Sequence, residues 1–537
     1  MNIVIKKIKM KMNAPFYYKM IVLLFVLFVI SPFLITKGIP LGNDASFHLS
    51  RVSSLAEALK NGVIFPGVYA DYFNGSGYGT GLFYPDLFLY IPAFLMFMGF
   101  SNIVAYKIFL ILLTVAMAVS MYWSVKQIWQ SDLGAMISTL FYLLCSFYRT
   151  DLYLRSSVGD LLAFVFIPII IVGFWQIIVG NEGEWKKLTF GFSGLVLSHI
   201  LSATIMAILS FIMVICQASV FIREPQRFKA LLKATCLSIF LTAFFIFPMI
   251  EQIIVNPIWG DTGLLGNIQY WAVPLKDLIF AFPQKLGVKY VPPSGIGFIL
   301  FTVAIIGIFQ LKKNKLVGEL CITGLILLFC TSTLFPWKVC GSLFQTLQFP
   351  WRLYLFTSIF WCFSSGEIIM NLFLKMKIRG IMIGSMIALL MISFIINVDY
   401  IYNNYPPMII NKYPLFAAGC EYLPKYTTFT EIQNSQEKFK SNTQRSNYNK
   451  YKIILERNVS NELPIIYYSG YNGQLNGKEI KILKSKNGLC FIENNETGTL
   501  MLYYKGTTIR QCSCILSIIS FIVLGGFYKV QRKRKKR

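Results

Sequence analysis

The chain has 537 residues, 55% hydrophobic and 16% aromatic, with a mean hydropathy of +0.59, which excludes a soluble domain of any common class. Its formal charge of +26 lies in short basic clusters between apolar runs instead of on one face, so it reads as membrane topology and not as a nucleic-acid footprint. Eleven cysteines without a CxxC, the one close pair being Cys512 and Cys514, read as buried small hydrophobes and not as a disulfide or metal framework. The fold class expected is an α-helical polytopic membrane protein.

Taken in chain order, Lys6, Lys7, Lys9, Lys11 and Lys19 precede a first apolar segment, Ile21 to Ile35, with no small-residue cleavage site. It is expected to stay as an anchor with the N-terminus in the cytoplasm. Apolar runs near bilayer length fall at about 20–36, 104–125, 133–149, 161–180, 188–200, 202–222, 231–250, 297–311, 316–335, 351–372, 380–397 and 511–528, giving about twelve crossings. The run 84–99 carries Pro85, Asp86 and Pro92 and is short. Letting it cross would put Lys126, Lys186 and Lys187 outside, so it is expected to lie along the interface. The first external loop then covers 37–102, with two juxtamembrane helices, HLSRVSSLAEALK and 84–99, around a flexible NGSGYGTG stretch. The helix break at 200–202 is short of turn signals, leaving 188–222 open as one crossing or two.

Residues 1–397 therefore read as a multi-spanning membrane domain, and 398–510 as a polar external domain. From Lys452 onward that domain alternates YKIILERNV, LPIIYYSGY, EIKILKS, GLCFIE and TLMLYY with turns at NG and KNG, a mainly β pattern. Residues 511–537 supply a last transmembrane helix and the basic tail KVQRKRKKR, which places both termini in the cytoplasm. The predicted location is the cell membrane, multi-pass, with the active site on the extracytoplasmic face. No internal repeat of the transporter kind is visible.

Ionisable residues at span ends are costly and default to functional candidates. Asp44, in GIPLGNDASFHLSR where the first span emerges, suits a general base on an acceptor hydroxyl, a cation ligand, or a cap for the helix that follows. His48 and Arg51 follow it, as substrate contacts or as the polar face of an amphipathic helix, and Asp71 lies further along the same loop. RTDLYLRSSVGD places Asp151, Arg155 and Asp160 at a mouth between two spans, where they could bind phosphate or sugar or tie helix ends together as ion pairs. His199 stands alone in an apolar stretch, as a substrate contact or a buried hydrogen-bonded residue. Arg352, in QFPWR, could grip a lipid phosphate or merely snorkel.

The succession GNDASFHLSRVSSLAEALKNG, GLFYPDLFLYIPAFLM, DLYLRSSVGDLLAFVFIP, LSHILSA, LQFPWRLY and CEYLP resembles bacterial YfhO-like integral-membrane proteins, also called 6-pyruvoyl-tetrahydropterin synthase-related, of the GT-C glycosyltransferase superfamily. The resemblance covers nearly the whole chain. It implies a GT-C-like fold and transfer of a sugar from a polyprenyl-phosphate donor to an acceptor on the outer face, with an aspartate of the first external loop as catalytic carboxylate. Asp44 occupies that position. The second acidic position carries Asp160, shorter than the usual side chain there. Nothing in the chain supports pterin chemistry.

The expected reaction is inverting transfer, with Asp44 taking the acceptor proton and Arg155 and Arg352 stabilising the leaving phosphate. The expected partners are a polyprenyl-phosphate sugar, an acceptor that is a glycan, teichoic acid or protein, and membrane lipid, with no nucleic acid. No cofactor is required by the pattern, and a divalent metal stays open. A flippase of lipid-linked sugars and a noncatalytic envelope-assembly scaffold are the alternatives.

Overall fold

The computed structural model describes residues 2–40, 42, 44–259, 268–280, 295–341, 347–373, 376–408, 420–456, 461–493 and 496–536. Of residues 2–14 and 527–536 it describes only the helical backbone. The chain is mostly helical, with a small β-sheet region near the C-terminus. It divides into two compact units. The first holds residues 1–45, 106–234 and 265–410, and the second 46–105, 235–264 and 411–537.

Six helices among the described residues are long and apolar enough to cross a membrane: Pro15–Ile35, Asn102–Trp129, Val158–Ile178, Pro350–Phe373, Arg379–Asn404 and Thr508–Gly526. A seventh arises if Pro225–Leu241 and Ala243–Val255, bent by 71° at their break, count as one span. These long helices do not show the full number of about twelve crossings read from hydropathy, several of which fall on shorter apolar helices. The run 133–149 becomes a 13-residue helix, Asp132–Leu144, because Cys145 turns extended. At about 1.5 Å per residue such a helix rises roughly 20 Å, short of a hydrocarbon core of about 30 Å. The run 297–311 shortens likewise to Phe298–Ile308. In 188–222 the chain forms Trp185–Val196 and Ile200–Cys216, with His199 extended at the break, and then the short helix Ala218–Arg223. The helical part of 84–99 is Leu87–Phe97, also short.

Helices of the first unit approach closely where side chains are small. A Cβ on Gly366 would lie 2.0 Å from the Gly134 carbonyl oxygen. Ser138 Oγ both donates to Phe363 O at 2.9 Å and accepts from the Gly366 N–H at 2.9 Å. Small residues and buried hydroxyls bring apolar helices together where lipid supplies no hydrophobic drive.

Among the described residues of the second unit, the strands are β1 Thr443–Asn447, β2 Lys450–Leu455, β3 Glu462–Ile466, β4 Tyr471–Leu475, β5 Lys478–Ile480, β6 Leu483–Lys484, β7 Leu489–Phe491 and β8 Gly498–Tyr504. They form antiparallel sheets ordered β1-β2-β8-β4-β5 and β3-β7-β6. The second Asn-Gly of YNGQLNG makes the β4–β5 turn, with φ of 50° at Asn476 and 83° at Gly477, as a two-residue hairpin requires. The first Asn-Gly lies inside β4. Within the NGSGYGTG stretch Tyr78 pairs with Tyr69 in an isolated bridge, and Ser76 Oγ donates to Pro464 O at 2.6 Å.

Candidate functional site

The first unit gathers Asp44, Asp151, Arg155, Asp160, His199 and Arg352 from segments spread across three hundred residues of sequence. Arg155 is the hub. Its Nη1 lies 2.5 Å from Asp151 Oδ1 and 2.9 Å from Asp160 Oδ2, and its Nη2 lies 3.5 Å from Asp44 Oδ2. The guanidinium sits 4.6 Å over the Trp351 ring, which couples the QFPWR segment to the same group. Arg352 is near enough for its charge to act on Asp160.

Local backbone explains how these groups converge. The turn Thr150–Arg155 is π-helical, so Asp151 and Arg155 stand on one side of a single wide turn. Ser156 then takes a left-handed conformation, φ 53°, and the helix Val158–Ile178 starts at once with Asp160 in its first turn, where a carboxylate suits the positive helix end. Ser157 Oγ donates to Asp160 Oδ2 at 3.2 Å. Asp44 is delivered by backbone: its N–H donates to Arg155 O at 2.8 Å. Two residues earlier only glycine fits, since a Cβ on Gly42 would fall 1.2 Å from Leu154 O.

Asp151 and Asp160 are buried, whereas the Asp44 side chain is 37% exposed. Burial raises the Asp151 carboxyl well above the ordinary carboxylate range, outweighing the pull of Arg155. Its Oδ2 has no hydrogen-bond partner among the described residues. Burial works against the Arg155 charge, but Asp151, Asp160 and Asp44 more than restore it, and its pKa moves up. Asp44 is thus the most exposed of the three carboxylates around Arg155.

His199 Nδ1 lies 3.3 Å from Asp160 Oδ1 and 2.9 Å from Ser202 Oγ. Both neighbours meet the same ring nitrogen, so this is no serine–histidine–aspartate relay, which needs the two on opposite nitrogens. The histidine instead fixes Asp160.

The remaining sequence candidates belong to the second unit. Arg51 is fully buried, and its Nη2 donates to Asp86 Oδ1 at 2.6 Å, Pro85 O at 2.8 Å and Tyr84 O at 3.3 Å. His48 is buried beside it, Nδ1 at 3.4 Å from Arg51 Nη1. Asp71 Oδ1 accepts from Arg445 Nη1 of β1 at 2.6 Å. Asp86 and Trp351 are partners that sequence reading missed; a carboxylate inside an apolar run is the signal that could have found the first. Among the described residues no group of three or more His, Cys, Asp and Glu side chains is arranged to hold a metal ion.

No protein-family model matches this chain. A protein of Lactococcus lactis subsp. cremoris (strain MG1363), described as uncharacterized, is 24% identical over 349 residues, 61% of this chain. The chain spans about half of that relative, 55% of its length. Among solved structures, the oligosaccharyltransferase of Archaeoglobus fulgidus in its apo form aligns over 79% of this chain and 58% of its own, with a TM-score of 0.39 and 11% identity.

Proposed function

We propose that this protein is a membrane glycosyltransferase of GT-C type that moves a sugar from a polyprenyl-phosphate donor to an envelope acceptor on the extracytoplasmic face. The observation that supports it most is the half-exposed Asp44 carboxylate fixed at the rim of a buried charge cluster. A base must be held in place yet reach a solvent-borne hydroxyl, and Asp44 meets both requirements.

In this mechanism Asp44 takes the proton of the acceptor hydroxyl as its oxygen attacks the anomeric carbon, and the lipid phosphate leaves with inversion. Arg155 is committed to carboxylates, so its task is to aim Asp44. Stabilising the departing phosphate falls to Arg352, half-buried at the start of its helix. Asp160 and His199 set the field around the two arginines.

The test supplies purified protein with a labelled polyprenyl-phosphate sugar and candidate glycan, teichoic acid and protein acceptors. Transfer by the natural protein, reduced by about two to four orders of magnitude in Asp44→Asn, is the expected result. Near-normal transfer in that variant overturns the assignment, and lipid movement without transfer establishes the flippase instead. The proposed topology places both termini in the cytoplasm. Reporter fusions at residues 75 and 430 should therefore read outside and a C-terminal fusion inside; the reverse at any of the three refutes it.

A further inference from the structure

A cavity of about 580 Å³ opens within the second unit, between the turn Phe73–Gly75, the helix Phe429–Lys438 and strands β1 to β3. That volume is in the range of small-molecule sites, roughly 300–1,000 Å³. The helix is firmly started: Thr428 and Glu431 form a reciprocal capping box, which places Gln433 and Glu437, one turn apart, on the cavity side. Across from them, Arg445 and Tyr451 are directly paired in the β1–β2 ladder and point to one face, as does Thr443 two residues along.

Two features mark this cavity as built for a ligand. The Tyr451 hydroxyl and Thr443 Oγ1 are buried and have no hydrogen-bond partner among the described residues, although both residues line the cavity. Leaving a buried hydroxyl unpaired costs about 1–3 kcal/mol, so an outside partner is the economical explanation. The lining also combines an amide, a carboxylate, cations and hydroxyls with the apolar patch of Pro464 and Ile465. This mixture suits a ring with hydroxyls at its edges and C–H groups on its faces. The lining carries Lys440, Arg445 and Glu437, and Asp71, which holds Arg445 without itself lining the cavity, brings the local charges to balance. With Arg445 already paired, the site does not favour a phosphate.

We propose that this cavity binds a neutral saccharide of two or three units, as an acceptor subsite. Only the word acceptor rests on the glycosyltransferase reading; the ligand class rests on the cavity. The full chain in nanodiscs would be titrated with neutral trisaccharides of glucose, galactose, rhamnose and N-acetylglucosamine carrying an uncharged fluorophore, and with a phosphorylated trisaccharide carrying the same label. Saturable binding of at least one neutral probe is expected, weakened about three- to tenfold in Tyr451→Phe and in Gln433→Ala and unchanged in Asp44→Asn. Gln433 is exposed, so its replacement does not threaten folding. No saturable binding of any neutral probe, equal affinity in both variants, or tighter binding of the phosphorylated probe overturns the proposal. Saturable binding without sugar transfer would overturn the enzyme reading and leave the subsite standing, whereas transfer without such binding would do the opposite.

Discussion

Arg155 in the first unit and Arg51 in the second are both buried guanidiniums held by carboxylates, and they end in opposite situations. Arg51 is sealed: three acceptors take its Nη2, and Tyr84 and Phe47 cover it at 4.1 and 5.4 Å. Its carboxylate, Asp86, is 12% exposed. Arg155 carries a carboxylate, Asp44, that is three times as exposed. A buried ion pair alone is weak evidence of function, since the same chemistry also locks structure. What separates the two is whether one member keeps a path to solvent.

That contrast can be broken by exchanging the effects. Asp44→Asn should cost transfer the two to four orders of magnitude stated above while leaving the melting temperature within about 1–2 °C, because the amide keeps size and the backbone bond to Arg155 O is untouched. Asp86→Asn should do the reverse: it strands a buried Arg51 charge, at a cost of about 3–5 kcal/mol, and any correctly folded fraction should transfer sugar normally. Thermal melts and specific activity on the same samples decide both. A stability loss in the first variant, or an activity loss per folded molecule in the second, would erase the distinction.

A smaller effect sharpens it. Because Asp151 is raised by burial, the folded state holds a proton that the unfolded chain releases near pH 4, so stability falls as pH rises from there to the raised value. The slope is at most about 1.4 kcal/mol per pH unit. Asp151→Asn should be free of this decline, and melts of both proteins between pH 4.5 and 8 should therefore diverge with rising pH. Parallel curves would show the carboxyl ionised. The smallest expected effect is in Arg352→Lys, which keeps the charge but loses the planar fork; donor KM should rise about tenfold. An unchanged donor KM removes Arg352 from the phosphate's path.

The charged half of the site was legible because ionisable residues are rare in so apolar a chain, and their positions at span ends single them out. Asp44, Asp151, Arg155, Asp160, His199 and Arg352 converge as one group, yet hydropathy could not separate them from His48, Arg51 and Asp71, which share the same signal and sit in the other unit. Hydropathy also measures composition and not helix ends, so it could not show that Cys145 stops one helix or that His199 interrupts another. In the β region, β2 and β8 announce themselves by alternation and aliphatic runs. β1, TQRSN, is almost wholly exposed and shows no alternation, and β4 hides behind an Asn-Gly that looks like a turn.

The described residues from Ile35 to Asp44 are fastened at several points. The ammonium of Lys107 grips the carbonyls of Phe33 and Thr36 where the first helix ends, Ile39 bridges to Met408, Gly42 abuts Leu154, and Asp44 is bonded to Arg155 O. A strap fastened at so many points cannot absorb a change in length. Single-residue insertions or deletions between Lys37 and Pro40 should thus be as damaging as loss of Asp44 itself, whereas substitution of the exposed Lys37 should pass. Length, together with the glycines and the buried Ile39 and Pro40, is what natural variation in this segment is expected to preserve.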